Sequence, residues 1–293
     1  MRSPLSIPLS LVAAVLAASG CADLTLRATT TAPAPTATAP TVAAPAPVPS
    51  SEWAVGATTQ AVANVGSDGN GNTVTRLFVV DTATQANRAL RYVPGSWTLP
   101  VPVGGAAPEG LSWDGRIAVL ADTDGPSRFA VVTLDHEGRA VTIDLRTKGR
   151  FLYDALAPDG ATLFLTELAD AKGAAVDRIV SYNLVSGILD PNPIVDKLDG
   201  KEAMVGTSVA RVRSANGVSV YTIYDGGTHP FLHALQTDSR ITFCVDLPAA
   251  GNATAPGTWK VTIDAAGATL TAHSTRLDKS FTIDLSGGVP RVV

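Results

Sequence analysis

The sequence predicts an all-β protein assembled from repeated four-stranded units. The stretch from 152 to 195 contains four short extended segments separated by turns, and the second of them, Ala161–Glu167, follows a turn at Pro158–Gly160. The β-branched, leucine and aromatic content of these segments is typical of buried strands. Four antiparallel strands joined by turns make one blade of a β-propeller, so this stretch predicts one blade.

The same order of turn and strand recurs along the chain, and this recurrence predicts the number of blades. Turns that precede an apolar strand lie at 67–72, 114–115, 159–160, 216–217 and 266–267. From residue 115 onward, successive units begin about 45 to 57 residues apart, near the ~40 to 45 residues of a four-stranded blade. Residues 52–293 are therefore predicted to form a five-bladed β-propeller of four-stranded antiparallel blades.

The strand order of the first unit stays open. We count Val74–Val80 as its second strand, although Leu77–Asp81 could equally belong to a third strand. A second turn at Pro94–Ser96 then precedes a predicted strand from Trp97 to Val103.

The N-terminus carries the features of an export signal. The apolar run from Leu5 to Ala18 is shorter than the about 20 residues that cross a bilayer, and it follows Arg2. The small residues before Cys21 resemble the lipobox of bacterial lipoproteins. That resemblance implies a signal peptide at 1–21 and a lipidated Cys21 that anchors the chain to the extracytoplasmic face of a bacterial membrane. In the alternative, an ordinary secretory signal, Cys21 is incidental and the domain is still exported.

The segment that follows the signal is predicted to be a disordered tether, which we place at 22–51. From Ala28 to Ser50 it consists almost entirely of Ala, Pro, Thr and Val, without charged or aromatic residues. Such a composition offers little apolar surface to bury, and its prolines favour extended conformations. At ~3.1 Å per residue the stretch 28–50 could hold a domain up to roughly 70 Å from its anchor.

The charge balance argues against nucleic acid as a partner. The formal net charge is −4, and the sequence contains no cluster of Lys and Arg. Nucleic-acid binding depends on neutralising phosphates with such clusters. Any contact with a membrane is expected through the lipid anchor only.

The central repeats also resemble a known class of proteins. The Pro158–Gly160 turn, the strand Thr162–Leu165 and the turn after Tyr182-Asn183 resemble the repeats of YVTN/lactonase-type and WD40-like propellers. The Trp113-Asp114 dipeptide falls in a first turn, whereas in WD40 repeats it closes a blade. The resemblance implies a fold and no substrate, because propellers host hydrolases, oxidoreductases and binding scaffolds alike.

Three potentially reactive side chains are predicted to have structural roles. Gly206–Ala210 approximates a nucleophile elbow around Ser208, but no helix-forming segment follows it. His233 is predicted to be a locally satisfied strand histidine, since no third zinc ligand is visible beside it and His229. Cys244 lies in an apolar strand and is predicted to be a small buried hydrophobe.

The strongest candidate site emerges when the units are aligned on their first turns. The second strands then end in Asp81, Asp122, Glu167, Asp225 and His273. Equivalent blade positions lie around one mouth of a propeller channel, so these side chains are predicted to ring that mouth. The alternative is that aspartate is common where strands end because it forms local hydrogen bonds.

The ring predicts a cation site. No Lys or Arg occupies an equivalent strand end, and like charges would raise one another's pKa unless a cation lay among them. Calcium at Asp122, Glu167 and Asp225 is the sharper hypothesis, because its ligands are hard oxygens. The other hypothesis is an acidic funnel that selects a cationic partner.

The sequence contains no motif that names a reaction. It favours a membrane-anchored extracytoplasmic module that binds or scaffolds an envelope protein, peptide or glycan. The alternative is a lactonase-like or glycosidase-like hydrolase that uses the carboxylate-lined channel mouth, and a chaperone for envelope proteins is a third possibility. Whether the chain is an enzyme stays open at this point.

Overall fold

The computed structural model describes residues 53–135, 138–168, 176–198, 200, 204–225, 229–249 and 258–293. The predicted signal peptide, Cys21 and the tether lie outside the described residues. The regular secondary structure of the described residues consists of β-strands. None of these residues belongs to a helix long and apolar enough to cross a membrane.

The strands form five sheets, which we number as blades 1 to 5. Blade 1 contains β1 (Ala54–Val55), β2 (Thr59–Ser67), β3 (Thr73–Asp81) and β4 (Asn87–Pro94). Blade 2 contains β5 (Trp97–Thr98), β6 (Ile117–Asp122), β7 (Arg128–Thr133) and β8 (Ala140–Asp144). Blade 3 contains β9 (Arg150–Leu156), β10 (Thr162–Leu168), β11 (Val176–Asn183), β12 (Ile188–Asp190) and β13 (Met204–Val205). Blade 4 contains β14 (Thr207–Arg213), β15 (Ser219–Asp225), β16 (Phe231–Gln236) and β17 (Ile241–Asp246). Blade 5 contains β18 (Trp259–Ile263), β19 (Thr269–Ser274), β20 (Lys279–Asp284) and β21 (Arg291–Val292).

Each blade is an antiparallel meander in which strands pair in chain order. Blade 3 adds one irregularity, because β13 pairs with β11 through Val176 and Val205. Every blade is thus made from one continuous stretch of the chain. The predicted all-β fold with five four-stranded antiparallel propeller blades is confirmed.

The turns between first and second strands have the geometry that their sequences predict. Gly115, Gly160 and Gly217 have φ values of 71°, 72° and 72°, a region that glycine enters without steric cost. The aspartate before Gly160 caps its turn, since Asp159 Oδ1 accepts a hydrogen bond of 2.9 Å from the Ala161 amide. Local turn chemistry therefore generates the repeat.

Alternating side chains of the strands pack the blades against one another. In β6, for example, Ala118 and Leu120 point into a cluster shared with blade 1, whereas Val119 belongs to the cluster shared with blade 3. This alternation is the two-residue period of a β-strand, which buries both faces of a blade. Equivalent clusters join blade 3 to blade 4 and blade 4 to blade 5.

The first and last blades differ from the others in their packing. Among the described residues no apolar cluster joins blade 5 to blade 1. The face of blade 5 that points away from blade 4 carries exposed polar residues, namely Lys260, Thr262, Ser280 and Thr282. The corresponding face of blade 1 buries Val62 and Val80 against Trp53. Within the described residues, apolar clusters therefore join blade 1 to blade 2, blade 2 to blade 3, blade 3 to blade 4 and blade 4 to blade 5.

The structure departs from the predicted strand Trp97–Val103, which is wrong beyond Thr98. Residues 99–110 form a loop, which we call the central loop, before Leu111 bridges to Ala118. The loop contains Pro100, Pro102 and Pro108, and proline cannot donate to a strand ladder. The open question about blade 1 is also answered, because Leu77–Asp81 belongs to β3, the third strand.

Candidate functional site

Four of the five predicted mouth residues lie at one edge of the ring. Asp122, Glu167, Asp225 and His273 lie at or near the ends of β6, β10, β15 and β19, the second strands of blades 2 to 5. We call this edge the second-strand face. Asp81 lies elsewhere, because it ends the third strand of blade 1 beside Thr59, at the opposite edge. The predicted ring of five is therefore a set of four, with Asp81 excluded by its strand direction.

The carboxylates of this set are compensated by arginines. Glu167 Oε2 lies 2.7 Å from Arg178 Nη2, and Asp225 Oδ2 lies 3.8 Å from Arg276 Nη2. Asp122 forms an ion pair with Arg128. These arginines lie in the strands or the turn that follow the second strands and not at second-strand ends, so each carboxylate has a cation beside it.

The sequence contains a signal for two of these pairs. Arg128 begins β7 and Arg178 lies near the start of β11, the strands that follow Asp122 and Glu167. Antiparallel pairing brings the end of one strand beside the start of the next. Comparing second-strand ends with third-strand starts would therefore have predicted both ion pairs.

The placement of these side chains does not provide the predicted calcium site. Among the described residues, no group of three or more His, Cys, Asp or Glu side chains could hold a metal ion. Asp122, Glu167 and Asp225 belong to three different blades, and each faces its own arginine. His273 Nδ1 lies 3.0 Å from Ser280 Oγ, so its ring is engaged on blade 5.

Two of the predicted site residues have structural roles. The buried Asp225 Oδ2 accepts a hydrogen bond of 2.6 Å from Trp259 Nε1, which ties blade 4 to blade 5. Asp81 accepts a hydrogen bond of 2.9 Å from the Thr84 amide and also pairs with Arg88. The Thr84 amide and then the Arg88 guanidinium lower the pKa of Asp81 to about 2. This result agrees with the alternative that aspartate ends strands for its local hydrogen bonds.

A buried ionic cluster that sequence reasoning missed lies at the centre of the ring. The Arg211 side chain in β14 is 2% exposed, and its Nη1 lies 2.8 Å from Asp154 Oδ1 in β9. Its Nε lies 3.1 Å from Glu109 Oε1 in the central loop. Because blades 2 and 4 are not neighbours in the ring, these contacts are made across the channel.

The cluster keeps its charges because they compensate one another. Burial opposes the charged form of Arg211, but the adjacent Glu109 and Asp154 carboxylates outweigh this effect and raise the pKa of the guanidinium. Thr222 Oγ1 accepts a further hydrogen bond of 3.2 Å from Arg211 Nη1. In sequence, Arg211 is one charged residue in a strand, and nothing local to it identifies partners 102 and 57 residues away.

The central loop is fixed across the channel at several further points. Ser208 Oγ donates a hydrogen bond of 2.8 Å to the Val103 carbonyl, and the Gly110 amide donates one of 3.1 Å to the Tyr153 hydroxyl. Ser208 thus has a structural role, as predicted. His233 is buried nearby, and its burial, aided by the charge of Arg211, lowers its pKa to about 3. Its imidazole is therefore neutral at pH 7.

A cavity of about 190 Å³ opens at the second-strand face between blades 2 and 3. We call it the blade 2–3 pocket. Its walls come from the start of the central loop, the β6–β7 hairpin and β9, and they are mainly apolar, including Pro100, Val101, Pro126, Phe151 and Leu152. Asp122 and Arg128 supply an ion pair within the lining.

Several contacts hold the polar side of the pocket in place. The Arg128 guanidinium carbon lies 5.2 Å from the centroid of the Trp97 ring, a cation–π contact. Arg128 Nε is buried without a hydrogen-bond partner and lies 3.9 Å from Asp144 Oδ2. Asp122 Oδ1 accepts a hydrogen bond of 3.0 Å from the Asp124 amide. The Asp122 carboxylate therefore keeps unused acceptor positions, and the Arg128 side chain is 30% exposed.

No known protein family and no curated protein sequence matches the chain. Among solved structures, the Cps50 (Swd1) β-propeller domain of Myceliophteria thermophila is 12% identical, with a TM-score of 0.40 over 78% of this chain and 66% of that chain. A putative 6-phosphogluconolactonase of Bacteroides uniformis is 13% identical, with a TM-score of 0.43 over 82% and 68%. TolB of Acinetobacter baumannii is 15% identical, with a TM-score of 0.40 over 82% and 55%.

These similarities concern the fold and not the function. The chain spans less than two thirds of the Swd1 and TolB chains, at 66% and 55% of their lengths. Propellers support unrelated functions on one architecture, so function has to be argued from the site.

The blade 2–3 pocket brings apolar and polar groups together. The pocket combines apolar walls with a hydrogen-bond acceptor, Asp122, beside a hydrogen-bond donor, Arg128. Since the two charges compensate each other, the pocket suits an uncharged group better than an ion. Glu167 lies beside this pocket, because it pairs across strands with the lining residue Phe151.

Proposed function

We propose that this protein is a membrane-anchored extracytoplasmic β-propeller that binds a protein or peptide of the cell envelope through its second-strand face. The observation that carries the proposal is the occupied channel. The central loop and the buried Arg211 cluster join blades 2, 3 and 4 across the channel, which leaves less room there for a substrate. The blade 2–3 pocket offers an open, mainly apolar recognition surface instead.

A lactonase-like or glycosidase-like hydrolase has less support. Such an enzyme needs carboxylates that exchange protons, attack the substrate or hold a metal ion. Asp122 and Glu167 are each engaged by an arginine, and the buried Asp225 bonds to an indole. We therefore favour a binding function over a hydrolase function for this protein.

The envelope location rests on the N-terminal sequence. The lipobox-like residues before Cys21 and the Ala/Pro/Thr-rich tether support an exported domain held at a distance from its membrane. A face that must meet partners in the envelope benefits from such reach.

Site-specific cross-linking in intact cells tests the proposed binding face. A photoreactive benzoylphenylalanine replaces Val101, which is 58% exposed beside the pocket. The control position is Arg116, whose side chain is 82% exposed at the opposite edge. We expect an adduct with an envelope protein, identified by mass spectrometry, from position 101 and none from position 116. Equal labelling from both positions, or none from position 101, would contradict the proposal.

A further inference from the structure

We infer that the blade 2–3 pocket binds one apolar side chain of an extended partner peptide, while Asp122 and Arg128 hold the adjacent main-chain peptide group. This inference rests on the proposed function and specifies the ligand of the same face.

The size of the pocket favours a side chain over a small-molecule substrate. Its volume is about 190 Å³. Sites for cofactors and drug-sized molecules usually measure about 300 to 1,000 Å³, whereas one water takes about 30 Å³ in the liquid. The pocket is therefore too large to be a single-water site and too small for a nucleotide or an oligosaccharide. Its size matches a single anchoring residue of the kind found at the centre of protein interfaces.

The walls favour an apolar side chain. Pro100, Val101, Pro126, Phe151 and Leu152 line the cavity. Val101 and Val103 are also exposed at its rim, so the apolar surface continues beyond the cavity. An extended peptide would place residues on both sides of its anchor against this rim. A glycan, by contrast, would bring hydroxyl groups that apolar walls cannot satisfy.

The ion pair favours a peptide group beside the anchor. Asp122 has accepted hydrogen bonds from the Asp124 amide and from Arg128, and a carboxylate has about four acceptor sites. Arg128 has five N–H donors, its side chain is 30% exposed, and its bond to Asp122 uses Nη1. A peptide group supplies one donor and one acceptor, and it brings no net charge to a pocket whose charges already compensate.

The pocket is built before any ligand binds. Ser127 in its lining is a buried non-glycine residue with φ of 72°, an uncommon conformation that surrounding contacts must maintain. Its Oγ donates a hydrogen bond of 2.9 Å to the Gly149 carbonyl and accepts one of 2.8 Å from the Phe151 amide. These bonds fix the β6–β7 hairpin against blade 3, which reduces the ordering cost of binding.

Short blocked peptides test the inference on the purified full-length chain. The probes are acetyl-Ala-Ala-X-Ala-Ala-amide with X as Leu, Ala or Glu, and binding is followed through the NMR methyl signals of Val101 and Val103. We expect saturable shifts with the Leu peptide and binding weaker by roughly tenfold or more with the Ala peptide, because the pocket is then left unfilled. Equal binding of the two peptides, or no saturable shift with any of them, overturns the inference.

A charge substitution tests the role of the ion pair. Asp122→Asn removes the negative charge with little change of shape, so the pocket should lose affinity for the Leu peptide and gain affinity for the Glu peptide. Asp246→Asn is the matched control, since Asp246 is exposed at the end of β17 and does not line the pocket. Identical peptide preferences for the two variants would overturn the assignment.

The proposed binding face and the peptide assignment of the blade 2–3 pocket can fail separately. Cross-links from position 101 without peptide selectivity would leave the binding face standing and remove the pocket assignment. Peptide selectivity without a cross-link in cells would keep the pocket assignment and remove the proposed envelope partner.

Discussion

At the scale of single residues, Arg211 is the side chain on which the centre of the ring depends. It contacts two carboxylates from different parts of the chain, Glu109 in the central loop and Asp154 in blade 3. All three side chains are largely buried, so their charges are weakly screened by solvent. Removal of the cation would leave two largely buried carboxylates without its compensating charge.

Arg211→Met should therefore destabilise the fold by about 3 kcal/mol or more, since one partner of a buried ionic cluster is lost. Protonation would relieve the remaining carboxylates, so the native state of the variant would bind more protons than the unfolded state. Its free energy of unfolding should consequently rise as the pH falls from 7 to 5. Urea denaturation at both pH values measures this dependence.

The matched control adds Glu109→Gln and Asp154→Asn to Arg211→Met. Without the two carboxylates, the pH dependence should disappear and part of the lost stability should return. A single Arg211→Met variant with the pH dependence of the wild type would contradict this account.

At the scale of structural elements, the turns between strands were predictable from the sequence, whereas the central loop was not. The Asp-Gly turns were predictable because their geometry is set within a few residues, as at Asp159 and Gly160. The loop was not predictable, because its anchors are distant. The Val103 carbonyl bonds to Ser208, which lies 105 residues later. The prolines at 100, 102 and 108 are the local sign that strand pairing ends at Thr98.

Gly110→Ala tests how tightly the loop is packed where it rejoins blade 2. Gly110 has φ of 96°, and a Cβ there would lie 2.4 Å from the Val119 carbonyl oxygen. Gly267→Ala is the control, since Gly267 also has a positive φ of 72° but a Cβ would meet nothing within 4 Å. We expect a loss of about 1 to 2 kcal/mol for Gly267→Ala from the backbone conformation alone.

Gly110→Ala should cost a further ~1 to 3 kcal/mol, because overpacking forces the backbone to shift. Equilibrium denaturation in urea compares the two variants. Equal losses would show that the loop relaxes around the added methyl group.

At the scale of the whole molecule, the number and order of blades were predictable, whereas the pairing of charges across the channel was not. Repeated turns fix where each blade begins, so five units could be counted from residues such as Gly160 and Gly217. The Asp122–Arg128 and Glu167–Arg178 ion pairs join neighbouring strands, whereas the Arg211 cluster joins the central loop, blade 3 and blade 4. Contacts across the channel are not contained in a local pattern.

The location of the whole protein rests on Cys21, and Cys21→Ser tests it. The proposed acyl chains each contribute about 0.8 kcal/mol per buried methylene, so two or more chains make a stable anchor. We expect the wild type in the membrane fraction, with incorporation of labelled palmitate, and the variant in the aqueous fraction without it. Unlabelled wild-type protein in the aqueous fraction would contradict the lipoprotein assignment.

The construction of each blade from one continuous stretch sets the order in which the chain can fold during synthesis. A blade needs no later strand to complete its own meander, so blade 1 can form while blade 5 is still being made. The central loop is different, because Glu109 must wait for Arg211, 102 residues further on. At roughly 5 to 20 residues per second this delay lasts roughly 5 to 20 seconds. During that time the proline-rich central loop and Glu109 lack the partners that blade 4 supplies, so the centre of the ring is completed only when blade 4 arrives.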